Sequence, residues 1–401
     1  MSRLLIVLLL LCGVAHANMV QAPPPVHAPP SPVPPPPGFQ GMTQHIPVSA
    51  SDQTAAINSI IGAAGAGDTI FFDAGRHVIC GTVNMKAGQI YVGPSVTYPL
   101  QGQNTRAVLD GCNYTGQFVP ASNNMVYGLQ LNNFNSYVIA GTSGHHVRND
   151  IFDGGDPNST HCVPGSGFPC IEWLCNGGDS GTTVDWNTFQ NGSGTNNSEC
   201  AQGGANSTNM LMTHNHFIQC QNDCWGGDDT GATNEVISFN FFERPGQNCG
   251  GCGTASAFES SGNPKSMHLL NNFVTGEKSG GPFCISAIGG SREVAFNYCT
   301  SPGAAIEWDP HFAQTGAAQS IHDNNMDSGN SGSTIFGSYS PANGSSLANN
   351  ISSVIKDLNG DGSDHCIFTT AGSCPDYNIS FTPFAGTIPS PPSPPAAGAA
   401  P

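Results

Sequence analysis

Short runs of alternating apolar and polar residues recur between about residue 145 and residue 351, and each run carries the signature Asn-x-apolar. Leu269, Asn271 and Phe273 illustrate the alternation, and Gly, Pro or Asp follows the runs. This pattern predicts a short strand that ends in a turn, with no helix between copies. The copies are Asn149-Asp150-Ile151, Asn187-Thr188-Phe189, Asn215-His216-Phe217, Asn240-Phe241-Phe242, Asn271-Asn272-Phe273, Asn297-Tyr298-Cys299, Asn324-Asn325-Met326 and Asn349-Asn350-Ile351.

The spacing of this signature predicts stacked coils. Successive Asn residues are 38, 28, 25, 31, 26, 27 and 25 residues apart. A recurrence centred in the twenties is typical of a solenoid with one coil per repeat. Because nothing helical connects the strands, we expect a β-solenoid. An Asn at a fixed point of every coil would then form a ladder of hydrogen-bonded side-chain amides.

The region before the repeats predicts how the solenoid begins. Residues 52–64 form an amphipathic helical pattern with Ile57 and Ile61 on one side, and Ser51 or Asp52 is the expected N-cap. Brief strand patterns separated by Gly follow. We therefore expect one β-solenoid domain over residues 46–386, closed at its start by a short capping helix.

The two ends of the chain predict export. Arg3 precedes an apolar run from Leu4 to Leu11, and Ala15-His16-Ala17 forms a small-x-small cleavage site, so residues 1–17 are the expected signal peptide. Residues 18–45 are a Pro-rich linker, and residues 387–401 are a Pro-rich tail expected to be disordered. We expect a secreted, extracellular protein, in a cell wall or periplasm for example, with no membrane span.

Composition narrows the choice of partner. Ten basic residues face 27 acidic ones, for a formal net charge of −17. This balance excludes nucleic acid, and a polyanionic substrate would need a bridging cation or a local basic patch. We expect a monomer whose partner is a polysaccharide or a cell-wall matrix.

Cysteine and Asn-x-Ser/Thr content fit an extracellular protein. Of the 15 Cys, Cys12 lies in the signal peptide, and the even number that remains predicts disulfides rather than zinc sites. Sequons predict a glycoprotein if the host is eukaryotic. They lie at Asn113, Asn158, Asn191, Asn196, Asn206, Asn343, Asn350 and Asn378.

The N-terminal strand patterns carry a family resemblance. The segments Ala55-Ala56-Ile57-Asn58, Gly67-Asp68-Thr69-Ile70-Phe71-Phe72 and Gln89-Ile90-Tyr91-Val92-Gly93 resemble the opening of the pectin-lyase-like right-handed parallel β-helix proteins. With the repeats, the resemblance covers about residues 48–385. It implies an all-β, right-handed parallel β-helix. It leaves the activity open among polysaccharide lyases, glycoside hydrolases, uronan epimerases, carbohydrate-binding tailspikes and non-enzymatic surface proteins.

Acidic residues in the repeats predict an active site. Residues at the same place in neighbouring coils stack about 4.8 Å apart. Counted back from the next Asn of the ladder, Asp228 and Glu259 share a column on adjacent coils. Carboxyl groups one or two coils apart have separations suited to glycosidases, and close like charges raise one pKa. The predicted catalytic residues are Asp228, Asp229, Glu259, Asp309 and His311, and the predicted sugar-stacking residues are Trp225 and Trp308. The alternative is that these are ordinary turn residues.

Two local motifs are similar to those of particular enzyme families. Asp228-Asp229 is similar to the Asp-Asp pair of polygalacturonase-type hydrolases, although their Gly-His-Gly and Arg-Ile-Lys motifs are absent from this chain. Trp308-Asp309-Pro310-His311 is similar to the Asp-Pro-His of mannuronan epimerases, with Ile306 where those enzymes have Tyr.

A further acidic loop predicts structural calcium. In Asp357-Leu358-Asn359-Gly360-Asp361-Gly362, oxygen ligands stand at positions 1, 3 and 5 and Gly at 6, as in an EF-hand-type loop. Asp357, Asn359 and Asp361 are the expected Ca²⁺ ligands, against the alternative of an Asx-rich turn. No organic cofactor is expected.

Together these features predict a secreted carbohydrate-active protein that cleaves a cell-wall or matrix polysaccharide by carboxylate acid/base chemistry, as a glycoside hydrolase. One alternative is a non-catalytic matrix or adhesion protein. The other is a calcium-assisted polysaccharide lyase or uronan epimerase. An open groove lined by the acids and the two Trp would favour the enzyme, and their burial would favour the scaffold.

Overall fold

The computed structural model describes the coils of the chain and leaves gaps between them. It describes residues 42–94, 106–134, 136–154, 172–176, 178–191, 200–220, 223–227, 229–245, 256–260, 262–275, 283–288, 290–299, 304–309, 319–322, 324, 335–336, 346–348, 355–356, 373–374 and 379–380. The expected signal peptide and the Pro-rich tail lie outside these residues, as does most of the Pro-rich linker.

Three long parallel sheets, each receiving one strand per coil, form the body of the molecule. Sheet A contains β1 (Thr43–Ile46), β3 (Thr69–Phe72), β6 (Ile90–Val92), β9 (Met125–Tyr127), β12 (His146–Arg148), β15 (Thr183–Asp185), β18 (Leu211–Thr213), β21 (Glu235–Ser238), β24 (Met267–Leu270), β27 (Arg292–Ala295), β30 (Gln319–His322) and β32 (Ser346–Ala348). Sheet B contains β2 (Ser49–Asp52), β4 (Gly75–Val78), β7 (Ala107–Asp110), β10 (Leu129–Asn132), β13 (Ile151–Asp153), β16 (Thr188–Gln190), β19 (His216–Ile218), β22 (Phe241–Glu243), β25 (Phe273–Thr275) and β28 (Tyr298–Cys299).

Sheet C completes each coil. It contains β5 (Thr82–Asn84), β8 (Gln117–Val119), β11 (Ser136–Ala140), β14 (Glu172–Asn176), β17 (Ala201–Gly203), β20 (Trp225–Gly227), β23 (Ser256–Ser260), β26 (Phe283–Ile288), β29 (Ala304–Asp309), β31 (Ile335–Phe336) and β33 (Ile355–Lys356). A short antiparallel pair, β34 (Ser373–Cys374) and β35 (Ile379–Ser380), follows. This architecture confirms the prediction of a right-handed parallel β-helix.

The predicted capping helix is present as α1 (Thr54–Ala63), which buries Ile57 and Ile61. Its N-cap is Gln53 rather than Ser51 or Asp52, because the chain turns into the helix one residue later. Asp52 still accepts the Thr54 amide at 3.0 Å. The first coil also starts before the expected boundary at residue 46, because β1 pairs with β3 from Thr43 onwards.

Inward-facing side chains stack from coil to coil. Phe152, Phe189, Phe217 and Phe242 occupy successive inner positions of sheet B, with ring centroids 4.8 Å apart and interplanar angles of 8–13°. Their exposed fractions are 0–2%. Burial of a large aromatic side chain contributes roughly 2–3 kcal/mol, so this row alone contributes substantially to stability.

Two disulfides lie within the described coils, Cys80–Cys112 and Cys200–Cys220. No helix in the described part of the chain is long and apolar enough to cross a membrane.

The predicted amide ladder runs along the turn between sheets A and B. Each ladder Asn donates from Nδ2 to Oδ1 of the next at 2.9–3.1 Å, and that same Oδ1 accepts the backbone amide of the preceding ladder residue at 2.9–3.0 Å. Nδ2 also donates to a backbone carbonyl of the coil before it, as Asn240 does to Met212 at 3.1 Å. The members are Asn187, Asn215, Asn240, Asn272, Asn297 and Asn324. Asn349 lies outside the described residues.

The ladder departs from the expectation at two coils. Asn272 replaces the expected Asn271, and Asp150 rather than Asn149 stands at the position before Asn187. In both coils the expected Asn occupies the preceding residue, where the backbone is left-handed with φ of 56–57°. Asn tolerates that region well. Of the two adjacent polar residues in each of these turns, the first therefore adopts the left-handed backbone and the second joins the ladder.

The left-handed position recurs at the described residues that precede the ladder, even where the side chain is bulky. Trp186, His214, Phe239 and Phe296 have φ of 55–59° there. Such values are unfavourable for large side chains. The rings of Trp186 and His214 stack at 4.4 Å and those of His214 and Phe239 at 5.3 Å, which offsets part of that cost.

Asp150 begins the ladder with an acid where the later coils have an amide. Its Oδ1 accepts the amide of Leu129 at 2.7 Å, as a ladder Asn would, but its Oδ2 has no hydrogen-bond partner among the described residues. In the later coils the second polar atom of the ladder side chain is an amide nitrogen that donates to a backbone carbonyl. Burial raises the pKa of Asp150 to about 8, and the nearby Arg106 opposes the rise. A protonated Asp150 would supply the missing donor.

The raised pKa of Asp150 predicts that stability falls as pH rises. The folded chain keeps a proton that the unfolded chain releases above about pH 4, so stabilisation is complete below pH 4 and is lost towards about pH 8. Asp150→Asn, which restores the ladder amide, should remove most of this decline and add on the order of a few kcal/mol at pH 8. Urea unfolding of the mature chain between pH 4.5 and 8.5 measures both effects.

The reciprocal variant Asn187→Asp is the control, because it removes an interior ladder amide. It should lower the urea midpoint throughout that pH range. An unchanged pH dependence in Asp150→Asn would show that Asp150 is ionised in the folded chain.

Candidate active site

Glu259 is the predicted site residue that reaches the protein surface. It lies on β23 between Phe258 and Ser260, which are 2% and 0% exposed, whereas Glu259 is partly exposed. Side chains alternate across a strand, so Glu259 projects from the outer face of sheet C while its two neighbours point into the coil. The outer face of sheet C is therefore where a substrate can meet this carboxyl group.

Asp223, from the coil before, hydrogen-bonds with Glu259. Asp223 is 1% exposed, and its Oδ1 accepts the Ser256 amide at 2.6 Å and the Ser256 hydroxyl at 2.7 Å. Burial raises the pKa of Glu259, and the hydrogen bond with Asp223 opposes part of that rise. Two hydrogen-bonded carboxyl groups share one proton, so the pair titrates as a unit.

A second acid stands at the register position of Glu259 two coils further on. Glu259 pairs with Ser286 in β26, and Ser286 pairs with Glu307 in β29. Two coils separate these backbone positions by about 10 Å. Asp309 lies two residues after Glu307 on the same strand, in register with Ile288. Sequence analysis did not identify Glu307, because the neighbouring Trp308-Asp309-Pro310-His311 is the segment that is similar to a family motif.

The register of the described strands sets a residue other than the expected Asp228 beside Glu259. Trp225 pairs with Phe258, so Gly226 lies beside Glu259. This register differs by two positions from the expected one. Part of the error comes from counting back from Asn271, when the ladder residue of that coil is Asn272. The turns after β20 and β23 also differ in length. Asp228 itself lies outside the described residues.

Trp225 does not offer a ring to a sugar. Its side chain is 0% exposed, because it shares the inward orientation of its register partner Phe258. The prediction that Trp225 stacks on a sugar ring is therefore wrong for this conformation. The position of Trp308 is in register with Ala287, which is in register with Ser260.

Asp229 lies inside the coil, where it belongs to a buried ionic network. It is 0% exposed, and its Oδ2 accepts the hydroxyl of Ser260 from the next coil. Arg292, itself 3% exposed, donates to the same hydroxyl oxygen and to the carbonyl of Gly262 at 3.1 Å. A Cβ on Gly203 would come within 2.1 Å of Asp229 Oδ1, so only Gly leaves room for this carboxylate.

Glu235 and Asp179 extend this network, and sequence analysis singled out neither. Both are 0% exposed, and Oε1 of Glu235 accepts the hydroxyl of Ser207. Burial raises the pKa of Glu235 well above its usual value, and the nearby Asp229 and Asp179 raise it further. Burial lowers the pKa of Arg292 to about 10, which still leaves it charged at neutral pH. The interior therefore holds an Asp229–Arg292 pair beside a neutral Glu235.

The remaining predicted site residues lie outside the described residues, including His311 and the calcium loop of Asp357, Asn359 and Asp361. Within the described ranges, no group of three or more His, Cys, Asp or Glu side chains is arranged to hold a metal ion.

Comparison with known proteins finds similarity to solved structures only. No protein-family model and no curated protein matches the chain. Among solved structures, it is similar to a mannuronic acid specific polysaccharide family 6 lyase from human gut microbiota, with 14% identity, a TM-score of 0.45, and coverage of 77% of this chain and 73% of that chain. It is similar to PfbA, a surface adhesin of Streptococcus pneumoniae, with 13% identity, a TM-score of 0.41, and coverage of 80% and 91%. It is also similar to a polygalacturonase from Erwinia carotovora ssp. carotovora, with 9% identity, a TM-score of 0.41, and coverage of 81% and 93%.

The buried network predicts that Asp229 supports the fold. Arg292→Met should lower the free energy of unfolding by about 3–5 kcal/mol, because it leaves the Asp229 carboxylate buried without its cation. Urea unfolding at pH 7 measures the loss. The double variant Asp229→Asn with Arg292→Met should recover part of it, since no uncompensated charge then remains. Full additivity of the two single changes would contradict this pairing.

Proposed function

We propose that this chain is a secreted glycoside hydrolase whose general acid is Glu259. The observation that carries the proposal is the Glu259–Asp223 pair, in which a partly exposed carboxyl group with a raised pKa is hydrogen-bonded to a buried one. A carboxyl group with a raised pKa at a surface is the arrangement that protonates a glycosidic oxygen. The outer face of sheet C, from which Glu259 projects, is long enough for a polymer chain to lie along it.

In the proposed mechanism, Glu259 donates its proton to the oxygen of the scissile bond as that bond breaks. Glu307 acts as the general base and removes a proton from the attacking water. The separation of about 10 Å between their backbone positions suits the carboxyl separation of roughly 6.5–9.5 Å that inverting glycosidases use. Asp223 acts through Glu259 and positions its proton.

A non-catalytic matrix or adhesion protein is the second candidate. The burial of Trp225 and Asp229 favours it, because two residues expected to meet a sugar instead stabilise the coil interior. Secretion, the calcium loop at residues 357–361 and glycosylation accompany either function and remain proposals. Digestion of a polysaccharide panel by the mature chain distinguishes the two candidates.

The proposal predicts that Glu259→Gln abolishes release of reducing ends. Loss of the general acid should lower kcat by about 10²–10⁴-fold. The measurement is reducing-end release from a polysaccharide panel by the mature chain, with ultraviolet absorbance followed for unsaturated uronates. Absorbance that depends on calcium would instead indicate a lyase. If the unaltered chain releases no product from any polysaccharide of the panel, the result would favour the non-catalytic matrix or adhesion protein.

Asp223→Asn is the matched control for Glu259. The Asn amide would donate to the Glu259 carboxylate, favour its ionised form and lower its pKa. The alkaline limb of the kcat–pH profile should then move to lower pH, whereas damage to folding alone would lower activity equally at all pH values.

The register of β23, β26 and β29 predicts inversion of the anomeric carbon. Proton NMR of the fresh product should show the anomer opposite to that of the substrate. Glu307→Gln should lower kcat at least a hundredfold. Asp309→Asn should lower it much less, because Asp309 lies two residues beyond Glu307 on β29 and is not in register with Glu259. Retention of configuration, or the reverse order of the two variants, would overturn the assignment of Glu307 as base.

A further inference from the structure

A partly exposed aromatic surface runs along the turn between sheets A and B and the adjoining outer face of sheet B. One row of rings occupies the left-handed positions just before the ladder residues, and a second row occupies the positions just after them. We call these two rows the aromatic platform. Its described members are Trp186, His214, Phe239 and Phe296 in the first row and His216, Phe241, Phe273 and Tyr298 in the second.

Stacked rings of the platform cover each other's faces and turn their edges outwards. Centroids of the stacked neighbours are 4.4–5.3 Å apart, and their planes differ by 12–28°. A sugar or another flat ligand between two rings would need about 7 Å, so it cannot enter these stacks. Ring edges carry the positive end of the ring quadrupole. The platform therefore favours an apolar ligand that offers carbonyl oxygens.

A polyproline II segment matches the platform in chemistry and in repeat. Such a helix has no internal hydrogen bonds and proline has no N–H, so its carbonyls remain acceptors beside apolar rings. One turn of three residues rises about 9.3 Å, close to the roughly 9.6 Å between alternate coils. Every third residue can therefore meet every second ring of a row. Aromatic surfaces are a recurring docking site for Pro-rich segments.

The Pro-rich linker of this chain carries the side that such docking needs. Residues at every third position of a polyproline II helix share one side. One side of the linker is wholly apolar, whereas His27 and Ser31 interrupt the other two. The members of the apolar side are Pro23, Val26, Pro29, Pro32 and Pro35.

The linker is also long enough to reach the platform. The described chain begins at Met42, next to β1 in the first coil. Five strand spacings, about 24 Å, separate that coil from the coil of Trp186, and four more, about 19 Å, lead to the coil of Tyr298. In polyproline II, residues 18–41 span about 74 Å. Residues 32–41 can therefore cover the distance to Trp186, which leaves residues 23–32 to lie along the platform.

We propose that the Pro-rich linker docks on the aromatic platform of its own chain, with its apolar side against the rings. The tether holds the segment at an effective concentration on the order of millimolar, so a weak contact suffices. The platform lies along sheet B, whereas Glu259 projects from sheet C. Docking is therefore independent of the proposed hydrolase function.

Photocross-linking in the full mature chain tests the docking. Phe273 is replaced by p-benzoylphenylalanine, which keeps an aromatic ring and links to nearby C–H groups on irradiation. Chymotrypsin then cuts after Phe39 and Phe384, so that mass spectrometry distinguishes links to residues 18–39 from links to residues 385–401. Residues 18–39 should carry most of the links. The control places the same probe at Lys265, which is exposed at another corner of the same coil and should give several-fold fewer.

Two linker variants with equal proline content test whether the apolar side makes the contact. Pro29→Ser with Pro32→Ser alters that side and should lower the cross-link yield several-fold. Pro30→Ser with Pro34→Ser alters the other two sides and should change the yield little. Both variants are also measured with the probe at Phe241, so that a fold damaged by the probe at one position does not decide the result.

Cross-links from both probe positions to residues 385–401 or to a second chain, with none to the linker, would overturn the proposal. A complete lack of cross-links outside the coils would overturn it as well. An equal loss of yield in the two linker variants would show that the apolar side does not make the contact.

Discussion

The hydrogen-bonded ladder of Asn side chains is the constraint on which the rest of this structure depends. Each interior ladder amide has two donor and two acceptor interactions, so no polar atom of the side chain is left unsatisfied inside the turn. Loss of any one amide would leave a buried amide and a buried carbonyl without partners. In the coils that it spans, the ladder thereby fixes where sheet A ends and sheet B begins, even though the loops elsewhere in the coil differ greatly in length.

Fixing one corner of each coil fixes the register of the whole stack. Strands one coil apart align residue by residue, so inner aromatic rings stack on like rings and outer residues form columns. The same alignment lets Asp229 reach Ser260 and lets Asp223 reach Glu259, both on β23 of the next coil. Glu259 and Ser260 are adjacent on that strand and point to opposite faces, so a carboxyl pair that reaches the surface and an interior ionic network arise from one repeat geometry.

The sequence predicts the fold well because the fold follows from local patterns. Asn-x-apolar repeats, strand-length apolar runs and a capping helix can be recognised even when their positions are in error by a residue or two. The candidate site is much less predictable, because a strand turns its side chains over with every residue. Counting from Asn271 rather than from the ladder residue Asn272, together with an error in the length of one turn, pairs Asp228 with Glu259. In the structure Gly226 lies beside Glu259. The same uncertainty made Trp225 look exposed, although its register partner Phe258 faces the core. Only the strand register, in which Glu259 pairs with Ser286 and Ser286 pairs with Glu307, identifies Glu307 as an acid of the same column.

Burial then decides what each acid can do. Asp229 and Glu259 are both acids of the same region, yet Asp229 is sealed against Arg292 and Ser260, whereas Glu259 keeps an open side. A sealed carboxylate with a cation stabilises one arrangement of the coil and has no access to a substrate. A carboxyl group that is buried enough to hold its proton, and open enough to deliver it, meets both requirements of a general acid. Of the predicted acids whose side chains the structure describes, Glu259 alone meets both, and for that reason the proposed chemistry belongs to the outer face of sheet C.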